Sequence, residues 1–144
     1  MIVESVEYKD EGDIIDQEVF SQILEMDDEG HEFLYKLIMN YFQQVESTFE
    51  NIRICLGKGD LQTISQLGHS LKGSSASMGL IKMRESSERL RKIGKYKEEV
   101  DSSISKQYLL RAAALELECT ETEFKRVEDM FINFLENSTI PPNN

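Results

Sequence analysis

Residues that interrupt or replace helices are scarce in this chain. Its 144 residues include only two prolines and eight glycines, and few runs of Val, Ile and Thr of the kind that form strands. Leu, Glu, Lys, Gln, Met and Ala, which favour helices, are plentiful. The composition therefore predicts an all-helical protein, and the length fits one domain.

Paired cysteines, an excess of basic residues and long apolar runs are also missing. Cys55 and Cys119 stand apart without CxxC spacing, so both are expected to be reduced thiols. The 27 acidic residues against 16 basic ones give a net charge of −11, which disfavours nucleic acid and anionic membranes as partners. No run approaches the roughly 18 apolar residues of a membrane span, and the start of the chain lacks the pattern of a secretory signal. We expect a soluble protein in the cytoplasm, with the nucleus left open as a second location.

Apolar residues recur at intervals of three and four along most of the chain. Glycines at 59, 79 and 94 are expected to end the second, third and fourth helices, with residues 95 to 103 as a connection. The predicted helices lie at about 16–26, with Asp16 as N-cap, and at about 31–57, 60–79, 80–94 and 104–136.

Short turns between these helices favour antiparallel neighbours. The expected fold class is therefore all-α, an antiparallel up-down four-helix bundle with the short first helix laid across one end or side. Residues 15–137 are expected to form this single domain. Flexible arms are expected at residues 1–14 and 138–144.

The third predicted helix carries His69 on a polar face. At about 100° per residue, the positions three, four and seven residues away share this face with the imidazole. A core histidine would be ringed by large apolar side chains, so His69 is predicted to stand in solvent. The neighbouring positions are all polar or small: Gln62, Ser65, Gln66, Lys72, Gly73 and Ala76.

The residues around His69 suit a transient anion. Gly73 lies one turn further on, where its missing side chain leaves space for a large partner. A glycine in the middle of a helix destabilises the helix by about 0.5–1 kcal/mol relative to alanine. Lys72 can place an ammonium group on the same face, and Ser70 and Ser74 offer hydroxyl donors. A neutral imidazole is a nucleophile, and a phosphorylated imidazole is a good leaving group. His69 could therefore accept a phosphoryl group from one carboxylate and pass it to another.

Residues 69–79, read as HSLKGSSASMG, resemble the H-x-L-K-G-S-S-A-x-x-G signature of histidine-containing phosphotransfer (HPt) domains. The resemblance extends to the stand-alone fungal type of phosphorelay intermediate through residues 23–28, ILEMDD, and 88–94, ERLRKIG. It covers roughly residues 16–136. The motif is long and fairly specific.

The resemblance implies roles for particular residues. His69 would be phosphorylated, Lys72 would stabilise the phosphoryl group, and Gly73 would be the gap through which a receiver domain docks. Arg91 departs from the pattern, since fungal and plant members usually present a glutamine there that hydrogen-bonds the histidine. It could contact the phosphoryl group or face solvent.

The resemblance also implies partners. These are the receiver domain of a hybrid sensor histidine kinase and response regulators, with the chain itself a monomer that has no kinase activity and no cofactor. The receiver domain would supply Mg²⁺ and the acidic pocket. Exposed apolar residues on the first helix support a docking surface. The implied surface comprises Val19, Ile23, Met26, Phe33, Leu37, Asn40, Gln44, Ser70 and Gly73.

Other interpretations are weaker. His69 could be an ordinary surface histidine, but the motif and Gly73 argue against that. A metal site would need His31 to converge with His69, and no HExxH or ExxH spacing is present. A nucleotide-binding kinase would need a Gly-rich phosphate loop, which is missing. The main alternative is a helical adaptor or scaffold whose long last helix pairs with another chain through its apolar stripe.

Overall fold

The computed structural model describes residues 14–27 and 30–139, with side chains through residue 137. No strand occurs in this part of the chain, where Ile15 and Leu80 form a single isolated bridge. The all-α prediction is therefore confirmed, as is the short first helix followed by four longer ones. The helices are α1 (Gln17–Glu25), α2 (Glu32–Lys58), α3 (Leu61–Ser77), α4 (Ile81–Glu99) and α5 (Lys106–Thr139).

The predicted helix boundaries have clear physical causes. The Asp16 carboxylate accepts hydrogen bonds from two amides in the first turn of α1, and that of Asp60 accepts one from Thr63 N at 3.0 Å. Gly59 and Gly79 adopt left-handed conformations with φ of 71° and 73°. These residues allow sharp turns after α2 and α3, so consecutive helices run antiparallel in a bundle.

The predicted end of the fourth helix at Gly94 was wrong. Helix α4 continues through residue 99, and residues 95–99 are helical and not part of a connection. A Cβ on Gly94 would lie 2.5 Å from Leu61 O, and one on Gly68 would lie 2.7 Å from Arg91 N. Both glycines therefore permit the close approach of α3 and α4, and Gly94 is a packing residue inside a helix.

The last helix also runs slightly further than predicted. It ends at Thr139 and not near residue 136. The first proline after this helix is Pro141, and a proline disfavours helical backbone at the residue before it. Helix can therefore persist to residue 139.

The apolar stripe of α5 is buried in the bundle core. The rings of Phe42 and Phe49 on α2 meet Phe124 edge-on, with centroids 5.5 and 5.7 Å apart. Ala113 and Thr120, on the same stripe, have no exposed surface. The stripe is thus satisfied within this chain and is not available to pair with another one, which contradicts the adaptor interpretation in that form.

Helix α1 lies against one end of the bundle. Asp16 N donates to Gly79 O in the α3–α4 turn at 2.6 Å, and the Phe20 ring meets Phe134 of α5 edge-on at 5.5 Å. At the other end of α1, the Asp27 carboxylate accepts a hydrogen bond from Leu34 N at 3.0 Å and so caps α2. These contacts fix α1 relative to the four long helices.

Some predictions concern residues outside the described part. The expected arms fall mostly at residues 1–13 and 140–144, which lie outside the described residues. Ile14, assigned to the first arm, is described and buried. In the described ranges, none of the helices combines the length and the apolar character that crossing a membrane requires.

Candidate functional site

His69 lies on the exposed side of α3, as predicted. One turn further on, apart from its two chain neighbours and the backbone of its own helix, no atom lies within 4 Å of the Cβ position of Gly73, so this glycine opens onto free space. The opposite side of α3 faces the core through Leu71 and Ser75, both fully buried. The periodicity of the helix therefore separates a packing face from a face that presents the imidazole.

A recess of about 210 Å³ lies beside the imidazole, between α3 and α4. Two cationic side chains, Arg91 and Lys95, line the recess together with His69. The arrangement combines a nucleophilic nitrogen with positive charge, which suits an anionic group on the imidazole.

Glu88 on α4 binds two of the cations near His69. Arg91 Nε and Nη2 donate to the two carboxylate oxygens at 2.9 and 3.0 Å, and Lys72 Nζ lies 3.1 Å from Oε1. The hydrogen bonds from Arg91, and less strongly those from Lys72, lower the pKa of Glu88 from 4.5 to about 2. In return, the hydrogen bonds to Glu88 raise the pKa of Arg91.

The serine hydroxyls near His69 differ in availability. Ser74 Oγ lies 3.3 Å from Ser70 O and 3.2 Å from Leu71 O, so it donates to the backbone of its own helix. Ser70 is exposed. To donate a hydrogen bond to a phosphoryl group instead, the Ser74 hydroxyl would have to rotate away from these carbonyls.

Two residues of this site, Lys95 and Glu88, are not among the predicted site residues. The predicted helix end at Gly94 assigns Lys95 to a connection. On a continuous helix, Glu88, Arg91 and Lys95 are spaced by three and four residues and share one face. That spacing was the available signal for both residues, and the predicted helix end at Gly94 hid it for Lys95 alone.

Most of the predicted docking residues are accessible. Met26 is 64% exposed and Phe33 39%. Ile23 differs, because it is 5% exposed and packs in the core beneath α1. Its side chain therefore packs between α1 and the bundle and is not presented to solvent. Of the other predicted residues, Asn40, Ser70 and Gly73 are exposed and Val19, Leu37 and Gln44 are half-buried.

His31 lies away from the recess, at the start of α2. Its Nδ1 contacts the Asp27 carboxylate, and its ring lies 6.2 Å from that of Phe134. Within the described residues, no three His, Cys, Asp or Glu side chains are grouped so that they could hold a metal ion. His31 is thus part of the packing of α1 and α2.

The fold and the exposed histidine define a class of protein that sequence comparison identifies. The Hpt domain matches residues 36–130, and the chain belongs to the Hpt domain family. Among curated proteins it is similar to multistep phosphorelay regulator 1 of Schizosaccharomyces pombe, with 49% identity over 82 residues, 56% of this chain and 28% of that protein. It is also similar to the phosphorelay intermediate protein YPD1 of Candida albicans, with 40% identity over 81 residues, 56% of this chain and 44% of that protein.

Solved structures give the same result at the level of the whole fold. The chain superposes on Saccharomyces cerevisiae Ypd1, in a co-crystal structure of that histidine phosphotransfer signaling protein with the receiver domain of its downstream response regulator Ssk1. The TM-score is 0.77 with 25% identity, over 88% of this chain and 97% of that one. The matched region spans half or less of the curated relatives' length, between 28% and 50%.

Proposed function

We propose that this chain is a phosphorelay intermediate. His69 accepts a phosphoryl group from an aspartyl phosphate in the receiver domain of a hybrid sensor histidine kinase and passes it to an aspartate of a response regulator. The observation that carries this proposal is an exposed imidazole beside the open Gly73 position and a recess lined by Arg91 and Lys95. The names of the two curated relatives described above, both phosphorelay proteins, support it.

The transfer step follows from the chemistry of the two groups. A neutral nitrogen of His69 attacks the phosphorus atom, a P–N bond forms, and the P–O bond to the receiver aspartate breaks with its electron pair leaving on the carboxylate. The reverse sequence delivers the phosphoryl group to the next aspartate. The transition state is loose, so the rate of transfer depends mainly on positioning of the reacting groups and on electrostatic stabilisation.

The cations of this chain stabilise the group while it is carried. A phosphoryl group adds about −1.5 to −2 of charge at pH 7, in a chain whose net charge is already −11. Lys72 lies one turn from His69 on α3, and Arg91 and Lys95 of the neighbouring α4 line the recess beside the imidazole. These three cations offset the negative charge of the phosphoryl group, which the acidic surface of the chain would otherwise repel.

The remaining chemistry belongs to the partner. The receiver domain provides Mg²⁺ and the acidic pocket, and this chain contributes no cofactor and no kinase activity of its own. Docking uses the exposed residues of α1 and the start of α2, with the Gly73 opening allowing the receiver to approach. We further propose that the chain acts as a monomer in the cytoplasm, with the nucleus open as a second location.

Phosphorylation of His69 can be tested directly. The purified chain is incubated with acetyl phosphate or a phosphorylated receiver domain, and bound phosphate is measured after acid and alkali treatment. We expect an acid-labile, alkali-stable phosphate, which His69→Gln abolishes without changing the helical circular dichroism spectrum.

His31→Gln is the matched control, because it removes the other of the two histidines. It should keep the label. Label that persists in His69→Gln, or that disappears in His31→Gln alone, would contradict the assignment.

A further inference from the structure

Glu88 connects the two helices that form the phosphate site. Its carboxylate binds Arg91 on its own helix and Lys72 on α3, at distances between 2.9 and 3.1 Å. Lys72 lies three residues from His69 on one helix face, and Arg91 lines the recess beside the imidazole. One carboxylate thus holds a cation that lines the recess, Arg91, and a cation one turn along the helix from His69, Lys72.

The carboxylate of Glu88 offsets part of the positive charge of this cluster in the unphosphorylated protein. Two cations share one anion, so the net charge of the three groups is +1. The side chains of Glu88 and Arg91 are 22% and 25% exposed, and that of Lys72 is 41% exposed. Glu99 approaches Arg91 Nη1 at 3.9 Å, but it is 52% exposed and contributes less.

A carboxylate and a phosphoryl group compete for the same donors. A guanidinium fork and an ammonium group both bind either anion well. When His69 carries a phosphoryl group, Lys72 and Arg91 can remain on Glu88 or turn to the new anion. The negative charge of Glu88 then lies beside the phosphoryl group and opposes its retention.

We propose that Glu88 is the counter-ion of the unphosphorylated site and that it is exchanged for the phosphoryl group when His69 is phosphorylated. This inference rests on the proposed relay function. Glu88 positions the cations and lowers the affinity of the site for phosphate, so that the phosphoryl group leaves readily for the next aspartate. Its role is in tuning the phosphotransfer equilibrium, through Lys72 and Arg91.

The test compares Glu88→Gln with Glu85→Gln. Glu85 is an exposed acidic residue one turn earlier on the same helix, and no ion pair joins it to Arg91 or Lys72, so its replacement removes the same charge without breaking the cluster. Each protein is equilibrated with fixed phosphoramidate and ammonia, a reaction in which a P–N bond to ammonia breaks as one to His69 forms. The ratio of phosphorylated to free protein, read by ³¹P NMR, gives an apparent equilibrium constant.

We expect Glu88→Gln to raise this constant about fivefold, the factor for one partly exposed ion pair, and the rise to shrink in 1 M salt. Glu85→Gln should stay within twofold of the wild type. Equal constants in the two variants, or a fall in Glu88→Gln, would overturn the proposal, because a purely structural bridge would not move the equilibrium in this direction.

A measurement on the wild type keeps the test independent of how the variant folds. The ¹⁵N signal of Arg91 Nε should shift on phosphorylation as the fork leaves Glu88, and an unchanged signal would also refute the exchange. If the proposed relay function were wrong, the wild type would take no label at His69. That result differs from one in which the wild type is labelled but Glu88→Gln does not change the equilibrium constant.

Discussion

The amide nitrogen of Arg91 lies 2.7 Å from the point that a Cβ on Gly68 would occupy. Real side chains essentially never come this close, and Ser87 O lies only 2.9 Å from the same point. Both obstacles are backbone atoms of α4, so they cannot move without the helix. The separation between the histidine helix and the helix that carries Arg91 is therefore set by a glycine.

Gly68→Ala should destabilise the protein. The gain from helix propensity, about 0.5–1 kcal/mol, is outweighed by the cost of overpacking, about 1–3 kcal/mol. We expect a net loss of about 1–2 kcal/mol in the free energy of unfolding, measured by urea denaturation. A variant as stable as the wild type would contradict the close contact.

Gly73→Ala should stabilise the protein, in contrast to Gly68→Ala. Because free space surrounds its Cβ position, the substitution should raise the free energy of unfolding by about 0.5–1 kcal/mol. Urea denaturation run beside Gly68→Ala checks this directly. The two alanines lie on the same helix and differ mainly in what they contact.

Gly73→Gln should fold normally but slow phosphotransfer from a phosphorylated receiver domain about tenfold or more, because the longer side chain displaces the docked partner. Rapid-quench measurement of the transfer rate checks this. Phosphoramidate is a small donor and should label the variant at the wild-type rate. Equal rates with the receiver domain would refute the steric role.

Stability should depend on pH through Glu88. Its folded pKa of about 2 lies below its usual value of 4.5, so its ionised form is stabilised in the native state. This contribution is present above about pH 4.5 and is lost as the pH falls towards 2. The difference in unfolding free energy between wild type and Glu88→Gln, from urea denaturation at several pH values, should therefore narrow over that window. A constant difference would contradict the ion pairs.

The buried pair of Tyr41 and Ser75 should be sensitive to the loss of one partner. The two hydroxyl oxygens are 2.7 Å apart, and burial raises the pKa of Tyr41, which keeps its hydroxyl protonated. Ser75→Ala leaves that hydroxyl without this bond and should cost about 1–3 kcal/mol. Adding Tyr41→Phe should recover part of the loss, as a double-mutant cycle in urea would measure. Strict additivity would argue against the bond.

Receiver binding should depend on Met26 and Phe33. Both are exposed, and truncating an apolar contact residue at a docking interface costs 1 kcal/mol or more at its important positions, about fivefold in Kd. Met26→Ala and Phe33→Ala should each weaken binding by about this factor in calorimetry. Ile54→Ala, which removes another exposed apolar side chain of α2, is the control and should bind normally.

Local features of the sequence determined most of the helices and the character of the histidine face. The carboxylates of Asp16 and Asp60 cap helices through amides two or three residues away, and the left-handed Gly59 and Gly79 end them. The exposure of His69 follows from helical periodicity. All of these depend on neighbours within about one turn, which a pattern of residues contains.

Only the tertiary structure decided where α4 ends and which residues of other helices surround the histidine face. A glycine such as Gly94 is typical of a helix end, yet this one lies within α4. Its missing side chain makes room for α3, whose Leu61 O lies 2.5 Å from the Cβ position. The same continuation brings Lys95 to the recess, and packing buries Ile23 and joins Glu88 to Lys72. These contacts link residues distant in the chain, and their distances arise from how whole helices pack, which propensity and periodicity do not encode.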